Sequence, residues 1–272
     1  MGAFNAGRRQ TMSNWLHNLP LIWMAIVVFS ATYLFAILVQ TVIGMLATGE
    51  RVRAFKAVSP GMLSPLGIIF GLFVAFTAAQ VWSDNDHASA AVNREASALK
   101  SVLILAAAFP GEPEAQLRSL VRRYIEDTAN TEWPMMVRHA ATLSISPAPL
   151  TEALQQTLAL SPNNPGQQIA QREIATSLEN ALEARRQRIL VSRSHVNLTK
   201  WACLLLQAAC ALLAIAVVHS DNRLASTISM GAFATGIAAS ILLILAHDEP
   251  FIGQVSVGPQ PLLQVMAGLA SG

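Results

Sequence analysis

The chain has 272 residues, of which 53% are hydrophobic and only 12% are charged, about half the charged share of an average soluble protein. Its 18 Lys and Arg and 16 Asp and Glu side chains are too few to coat a soluble domain of this length, so the composition excludes a disordered chain and an ordinary soluble enzyme and favours an integral membrane protein. A net charge of +2 indicates no nucleic-acid footprint, and two cysteines exclude a disulfide scaffold.

Four apolar stretches are long enough to cross a bilayer core, which needs roughly 20 apolar residues of helix. They predict transmembrane helices at 21–46, 62–82, 200–219 and 224–246, and apart from Lys200 at the edge of the third none contains a formal charge. Soluble core helices seldom stay uncharged for so long. The sequence therefore predicts four membrane spans.

The first span is predicted to stay in the protein as a signal anchor. Arg8 and Arg9 precede it, as in a signal peptide, but its apolar run is longer than the roughly 7–15 residues of a cleavable signal. Met12 is as plausible a start as Met1. Residues 1–20 and 247–272 are expected to be terminal segments on the cytosolic side.

The segment 83–199 between the second and third spans carries most of the charge, with 11 basic and 12 acidic residues. Its apolar residues recur at helical spacing, and no alternating strand pattern interrupts them. Breaks are predicted at Pro110-Gly111, Pro134 and the proline-rich stretches 147–149 and 162–166. The last helix, marked by Ile174 and Ile189, is expected to run on into the third span. The fold class is therefore predicted to be all-α, with a helical cytosolic insert at 83–199.

The distribution of basic residues predicts which face is cytoplasmic. With four spans, both termini and the insert share one face, where nine basic residues lie near membrane ends against four on the other face. By the positive-inside rule, the insert face is cytoplasmic. The nine are Arg8, Arg9, Arg94, Lys100, Arg185, Arg186, Arg188, Arg193 and Lys200, and the four are Arg51, Arg53, Lys56 and Arg223. The short basic hairpin 47–61 is a counter-signal, since short loops weigh most in this rule.

The second span has two unlike faces when residues advance by about 100° each. Small residues form one face, a pattern that lets helix backbones approach closely in lipid; they are Gly67, Gly71, Ala75 and Ala78. Bulky apolar residues form the other, which leads into polar ones: Ile69, Phe73, Phe76, Gln80, Asp84 and His87. One interpretation is that the bulky face meets lipid. The other is a pore, in which the apolar residues form a constriction that gates by dewetting and the polar ones line a wetter vestibule.

Other candidate sites are weaker. Arg185, Arg186 and Arg188 could attract anionic headgroups, although a solvated helix face is the simpler interpretation. In the fourth span, Gly236 lies in a second stripe of small residues that indicates helix packing. His247-Asp248-Glu249 is expected to cap the fourth span and meet headgroups. No closed set of metal ligands, no cofactor motif and no enzymatic signature is found, so neither a metal, a cofactor nor an enzyme is expected.

Several separated motifs resemble the bacterial bestrophin-like domain family. They are Gly67-Ile68-Ile69-Phe70-Gly71-Leu72 through Trp82, then Ala88, Arg94-Glu95-Ala96, Leu99, Pro110, Tyr124, Glu132-Trp133-Pro134 and Asp248-Glu249-Pro250-Phe251-Ile252-Gly253. The last is also similar to the Pro-Phe-Gly segment that follows the final membrane helix of bestrophins proper. The resemblance extends from about Leu21 to Leu263.

The resemblance implies a homopentameric channel in the bacterial inner membrane, with four membrane helices per subunit and a pore lined by the second. Ile69, Phe73 and Phe76 would then form the apolar neck. Animal bestrophins follow the Pro-Phe motif with an acidic run that helps to hold calcium, whereas Gln254 to Val257 follow it here, so a calcium clasp is not expected. Two alternatives remain open: a non-conducting scaffold whose cytosolic helices bind a partner, and a small-solute transporter. Ion selectivity is open too, although a ring of Asp84 would favour cations.

Overall fold

The computed structural model describes residues 19–47, 58–220 and 222–270. Within them the chain is helical and contains no strand, which confirms the all-α prediction. The helices are α1 (Leu21–Leu46), α2 (Leu63–Ala106), α3 (Glu112–Asp127), α4 (Trp133–Val137), α5 (Ala148–Ala159), α6 (Pro165–Val191), α7 (Leu198–Val218), α8 (Arg223–His247) and α9 (Gln260–Ala270). Met1, Arg8, Arg9, Met12 and most of the basic hairpin 47–61 lie outside the described residues.

The chain divides into two compact units, and the boundary between residues 83 and 84 falls within α2. Unit 1 comprises residues 1–83, 195–249 and 253–255. Four helices of the described residues are long and apolar enough to cross a membrane, namely α1, α2 together with the short turn Pro60–Met62 before it, α7 and α8. Their bounds differ from the predicted spans by one or two residues at most ends, but α2 continues far beyond residue 82.

In unit 1, α1, α7 and α8 pack on one another, and α1 and α8 make the closest pair. Hydrogen bonds between side chains join these two helices, from Tyr33 to Thr235 and from Gln40 to Thr227, at 2.7 Å in both cases. Helix α2 joins the same apolar cluster through larger side chains, such as Phe70, whose ring centroid lies 5.9 Å from that of Phe233. The side of α2 that faces this cluster is therefore formed mainly by large side chains.

Unit 2 comprises residues 84–194, 250–252 and 256–272. Here α5 packs between α3 and α6, and α9 packs on α3. The apolar positions that recur at helical spacing form its core, including Val92 and Leu99 of α2, Leu120 of α3 and Leu178 of α6, all exposed by 2% or less. The apolar residues whose helical spacing predicted the helices of the insert therefore form its hydrophobic core.

Two details of unit 2 correct the prediction. Pro134 does not break the chain, because a π-helical turn at Thr128–Glu132 connects α3 to α4 and the proline sits in the first turn of α4, where its missing N–H costs little. Helix α6 does not run on into the third span either. It ends at Val191, and the Asn197 side chain starts α7 anew by accepting a hydrogen bond from the Thr199 backbone N–H.

Candidate functional site

The membrane part of α2 has one packed side and one open side. Phe70 and Val81 are buried in unit 1, at 7% and 2% exposure. On the open side, Ile69 is 54% exposed and Phe76 is 68% exposed. Leu72 is exposed beside them. In a single subunit, this side of the helix therefore presents bulky apolar groups with no protein covering most of their surface.

The predicted pore residues do not all share that open side. Phe73 is half-buried and packs against the apolar cluster of unit 1, at the margin between the packed and open sides. Gln80 is also half-buried, and its Oε1 accepts a hydrogen bond from Nζ of Lys200, in the first turn of α7. Farther along α2, in unit 2, Asp84 is half-buried and His87 is exposed. The open side is thus centred on Phe76 and Leu72, slightly rotated from the predicted face.

Most of the small residues predicted for helix packing have little contact within the subunit, but Ala78, at 8% exposure, is buried in the apolar cluster of unit 1. A Cβ atom added to Gly67, Gly71 or Gly236 would meet no heavy atom within 4 Å among the described residues. Ala75 is exposed. Close helix packing at Gly67, Gly71, Ala75 and Gly236 therefore remains a prediction, and it requires a neighbour outside the described part of the subunit.

A buried ionic cluster in unit 2 was not predicted from the sequence. Arg188 of α6 and Glu95 of α2 are both 0% exposed. The guanidinium donates from Nε to Glu95 Oε2 at 2.7 Å and from Nη2 to Oε1 at 3.0 Å. Two parallel charge-assisted hydrogen bonds of this kind are the strongest arrangement that these groups form.

A second ion pair extends the cluster. Arg188 Nη2 also donates to Glu132 Oε1 at 2.6 Å, and Arg185 Nε donates to Glu132 Oε2 at 2.8 Å. Two arginines and two glutamates thus balance one another. The expectation that Arg185 and Arg188 lie on a solvated face is wrong, because both are buried among these carboxylates; Arg186, with a side chain 63% exposed, is the solvated member of the three.

Aromatic residues enclose the cluster. The Arg188 guanidinium lies 5.1 Å from the centroid of the Trp133 ring, and Phe251 meets Trp133 edge-on at 5.5 Å. The Tyr124 hydroxyl donates a hydrogen bond to Glu95 Oε1. Burial, together with the adjacent Glu95 carboxylate, raises the pKa of Tyr124 well above its ordinary value. Burial alone would lower the pKa of Arg188, but Glu95 reverses this and raises it, so the arginine stays charged.

A further polar contact in unit 1 joins the residues that follow α8 to the segment that precedes α7. Asp248 and Glu249 are buried, at 6% and 8% exposure, and Asp248 Oδ1 accepts a hydrogen bond from the Val196 backbone N–H at 2.5 Å. The expectation that these acids meet headgroups does not fit their burial. Asp248 holds the end of α8 against the segment that precedes α7.

Neither a metal centre nor an ion path is evident elsewhere in the described residues. No group of three His, Cys, Asp or Glu side chains there could hold a metal ion. A cavity of about 620 Å³ in unit 1 is lined almost entirely by apolar residues of α1, α7 and α8. Its lining suits hydrocarbon rather than a hydrated ion. The open side of α2 therefore remains the candidate functional surface.

Comparison with known proteins identifies the family. The sequence model of the bestrophin-like domain family matches residues 5–262 of this chain. A crystal structure of a bacterial bestrophin homologue from Klebsiella pneumoniae, in a single-substitution variant, superposes with a TM-score of 0.67 at 14% identity, over 91% of this chain and 98% of that one. A second variant gives a TM-score of 0.68 over 88% and 97%, and a structure phased on zinc gives 0.67 over 90% and 97%, both at 14% identity.

No curated protein matches the chain. At 14% identity the structural likeness shows a common fold only, but the family model covers nearly the whole sequence. Together with the four apolar helices, these matches establish that the chain belongs to the bestrophin-like domain family of membrane proteins.

Proposed function

We propose that this bestrophin-like membrane protein is one subunit of a homo-oligomeric ion channel whose pore is lined by α2. The observation that supports it is the open side of α2, where Ile69 and Phe76 are more than half exposed while Phe70 and Val81 on the opposite side are buried. Several copies of such a face around an axis would form an apolar ring narrow enough to gate by dewetting. A pentamer is the assembly that the resemblance to bestrophins favours.

The residues of the proposed pore have different roles. Phe76, with Ile69 beside it, would form the neck. Phe73 packs against unit 1 at its margin, so it would hold the neck in place as well as narrow it. Gln80, Asp84 and His87 follow at helical spacing and would line the wetter vestibule. Inorganic ions are the proposed cargo.

The proposed orientation places the termini and residues 84–194 on the cytoplasmic side of a bacterial inner membrane. Exposed basic residues of this segment support it, since positive charges near membrane ends are retained in the cytoplasm; they are Arg94, Lys100, Arg186 and Arg193. Fusion of a reporter to the C-terminus tests it. A reporter that is active only in the cytoplasm is expected to be active, and activity of a periplasm-specific reporter instead would contradict the orientation.

The channel is tested by current across planar bilayers that contain the purified oligomer. Wild-type protein is expected to conduct, and Phe73→Ala together with Phe76→Ala is expected to raise conductance or to leave the pore open, because a smaller side chain lowers the barrier to wetting. Leu34→Ala is the matched control. Leu34 is an apolar side chain of α1 with 67% exposure, against 68% for Phe76, and its truncation is expected to leave the current unchanged.

The outcomes separate the channel from the alternatives. Absence of current from intact oligomers would reject the channel and leave a scaffold that binds a partner through its insert. Saturable solute uptake without single-channel steps would indicate a transporter instead. Wild-type current in the double Phe variant would place the gate elsewhere.

The proposed assembly also gives the small residues a role. Gly71 and Gly236 have no neighbour within 4 Å of an added Cβ inside the described subunit, so Gly71→Val and Gly236→Val create no clash there. If these glycines pack between subunits, as close helix approach at small residues predicts, both variants are expected to shift the oligomer toward smaller species in light scattering. Gly44→Val in α1, where an added Cβ also meets nothing, is the control. Wild-type size in both variants would contradict the packing role.

A further inference from the structure

Lys200 contacts a residue of the proposed pore. It lies in the first turn of α7, and its ammonium donates a hydrogen bond to Oε1 of Gln80 on α2. Both residues are half-buried in unit 1. Val81, next to Gln80, and Leu204, one turn after Lys200, are almost completely buried. The lysine side chain therefore lies at the edge of the apolar cluster, where its ammonium reaches Gln80.

Lys200 forms no ion pair among the residues that the structure describes. Its hydrogen-bond partner is a neutral amide. The first turn of α7 also contains no acidic residue. The free N–H groups at a helix N-terminus add a partial positive charge of about +0.5. Lys200 and the N-terminus of α7 therefore contribute positive charge beside Gln80, while Asp248, bonded to the Val196 backbone N–H just before α7, and Asp84, one helical turn beyond Gln80, contribute negative charge.

This placement is unfavourable for folding. A cation in the first turn of a helix opposes the helix dipole. The contrast with Arg185 and Arg188 is informative, because those buried arginines are paired with carboxylates. Lys200 differs from both, because its hydrogen-bond partner on α2 is the neutral amide of Gln80.

We propose that Lys200 is a selectivity residue of the channel, and that it holds a positive charge beside Gln80 which favours small inorganic anions over cations. The proposal rests on the channel function proposed above. One copy per subunit would make a ring of fixed positive charges, and such rings select anions in pores. A ring of Lys200 would oppose the cation preference that a ring of Asp84 would give. The two residues therefore make opposite contributions to selectivity, and each contribution can be measured.

The test is the reversal potential of wild-type channels in a gradient of potassium chloride. Wild-type channels are expected to prefer chloride, and Lys200→Gln is expected to lower the chloride-to-potassium permeability ratio by about an order of magnitude. Lys200→Arg keeps the charge and is expected to keep the preference. Lys100→Gln, at an exposed lysine of unit 2, is the control and is expected to leave the ratio unchanged.

A second variant tests the proposal without removing Lys200, in case Lys200→Gln does not fold. Gln80→Glu keeps Lys200 but gives it a carboxylate partner, so it is expected to lower the same ratio without removing the lysine. A potassium-selective wild type, or a permeability ratio unchanged in both Lys200→Gln and Gln80→Glu, overturns this proposal alone, since current still flows. Absence of current from intact wild-type oligomers overturns the channel function and this proposal together.

Discussion

Removal of Arg188 is the perturbation whose consequence the structure defines best. Arg188→Met keeps much of the side-chain volume but removes two hydrogen bonds to Glu95 and one to Glu132. Glu95, at 0% exposure, is then a buried carboxylate whose remaining partner is the Tyr124 hydroxyl. Breaking one side of a buried ion pair costs about 3–5 kcal/mol, because the other charge is left uncompensated.

Hydrogen exchange of the backbone amides in α3 and α6 measures this cost in the full-length protein in detergent. A loss of about 3–5 kcal/mol lowers the protection of the slowest amides by roughly a hundred- to several-thousand-fold, if they exchange through opening of unit 2. Arg186→Met is the matched control on the same helix. Its side chain is 63% exposed and lies 3.8 Å from Glu183, and an exposed pair contributes about 0–1 kcal/mol.

A double variant distinguishes a charge effect from a packing effect. Glu95→Leu together with Arg188→Met removes both buried charges, so its cost is expected to be well below the sum of the two single variants. About 1 kcal/mol should remain from Tyr124, which loses its acceptor. The reasoning is refuted if Arg188→Met retains protection within threefold of the wild type, or if the two single costs simply add.

Three further predictions concern the same unit and use the same exchange measurement unless stated. Gly111 has φ +95° and ψ −138°, a region reserved for glycine, so Gly111→Ala is expected to cost about 1–3 kcal/mol and Gly111→Asn no less; a neutral effect would contradict the strain. Phe251→Ala is expected to cost about 3–5 kcal/mol through the cavity left beside Trp133, and Phe251→Leu about 1 kcal/mol; equal effects would exclude a cavity. In a Tyr33→Phe background, the tyrosinate absorbance of Tyr124 should stay absent through about pH 10, since its pKa is raised. The neutral form is thus favoured by folding, so its stabilisation is complete below the unfolded pKa and is lost as the pH rises above it. Ionisation at the ordinary pKa in folded protein would contradict this.

The sequence predicted the all-α fold and the membrane helices because both depend on local patterns. Long runs without charge define α1, α7 and α8 almost to the residue. The continuation of α2 past Trp82 was also predictable, since no proline or glycine follows there and the helical spacing continues to Asp84 and His87. The structure shows one helix from Leu63 to Ala106.

The buried ion cluster was missed because charged residues on a helix are usually solvated. A signal was nevertheless present. Arg185 and Arg188 continue, at intervals of three and four, the buried series Ile174, Leu178 and Ala181 of α6. Glu95 falls in the same way within the buried series of α2, after Val92 and before Leu99. Charges of opposite sign within the apolar stripes of two helices indicate a buried ion pair. The assumption that every charged residue is solvated leaves this possibility out.

Several of the motifs that resemble the bestrophin-like family belong to the scaffold of unit 2. Glu95, Tyr124, Trp133 and Phe251 lie far apart in the sequence, yet they meet around Arg188 inside unit 2. Substitutions there would be selected against for stability whatever the function of the membrane part. The proposed selectivity residue, Lys200, lies outside those motifs. This cluster therefore accounts for stability of the fold and carries no information on selectivity, which is why the proposed selectivity is argued from the charges beside α2.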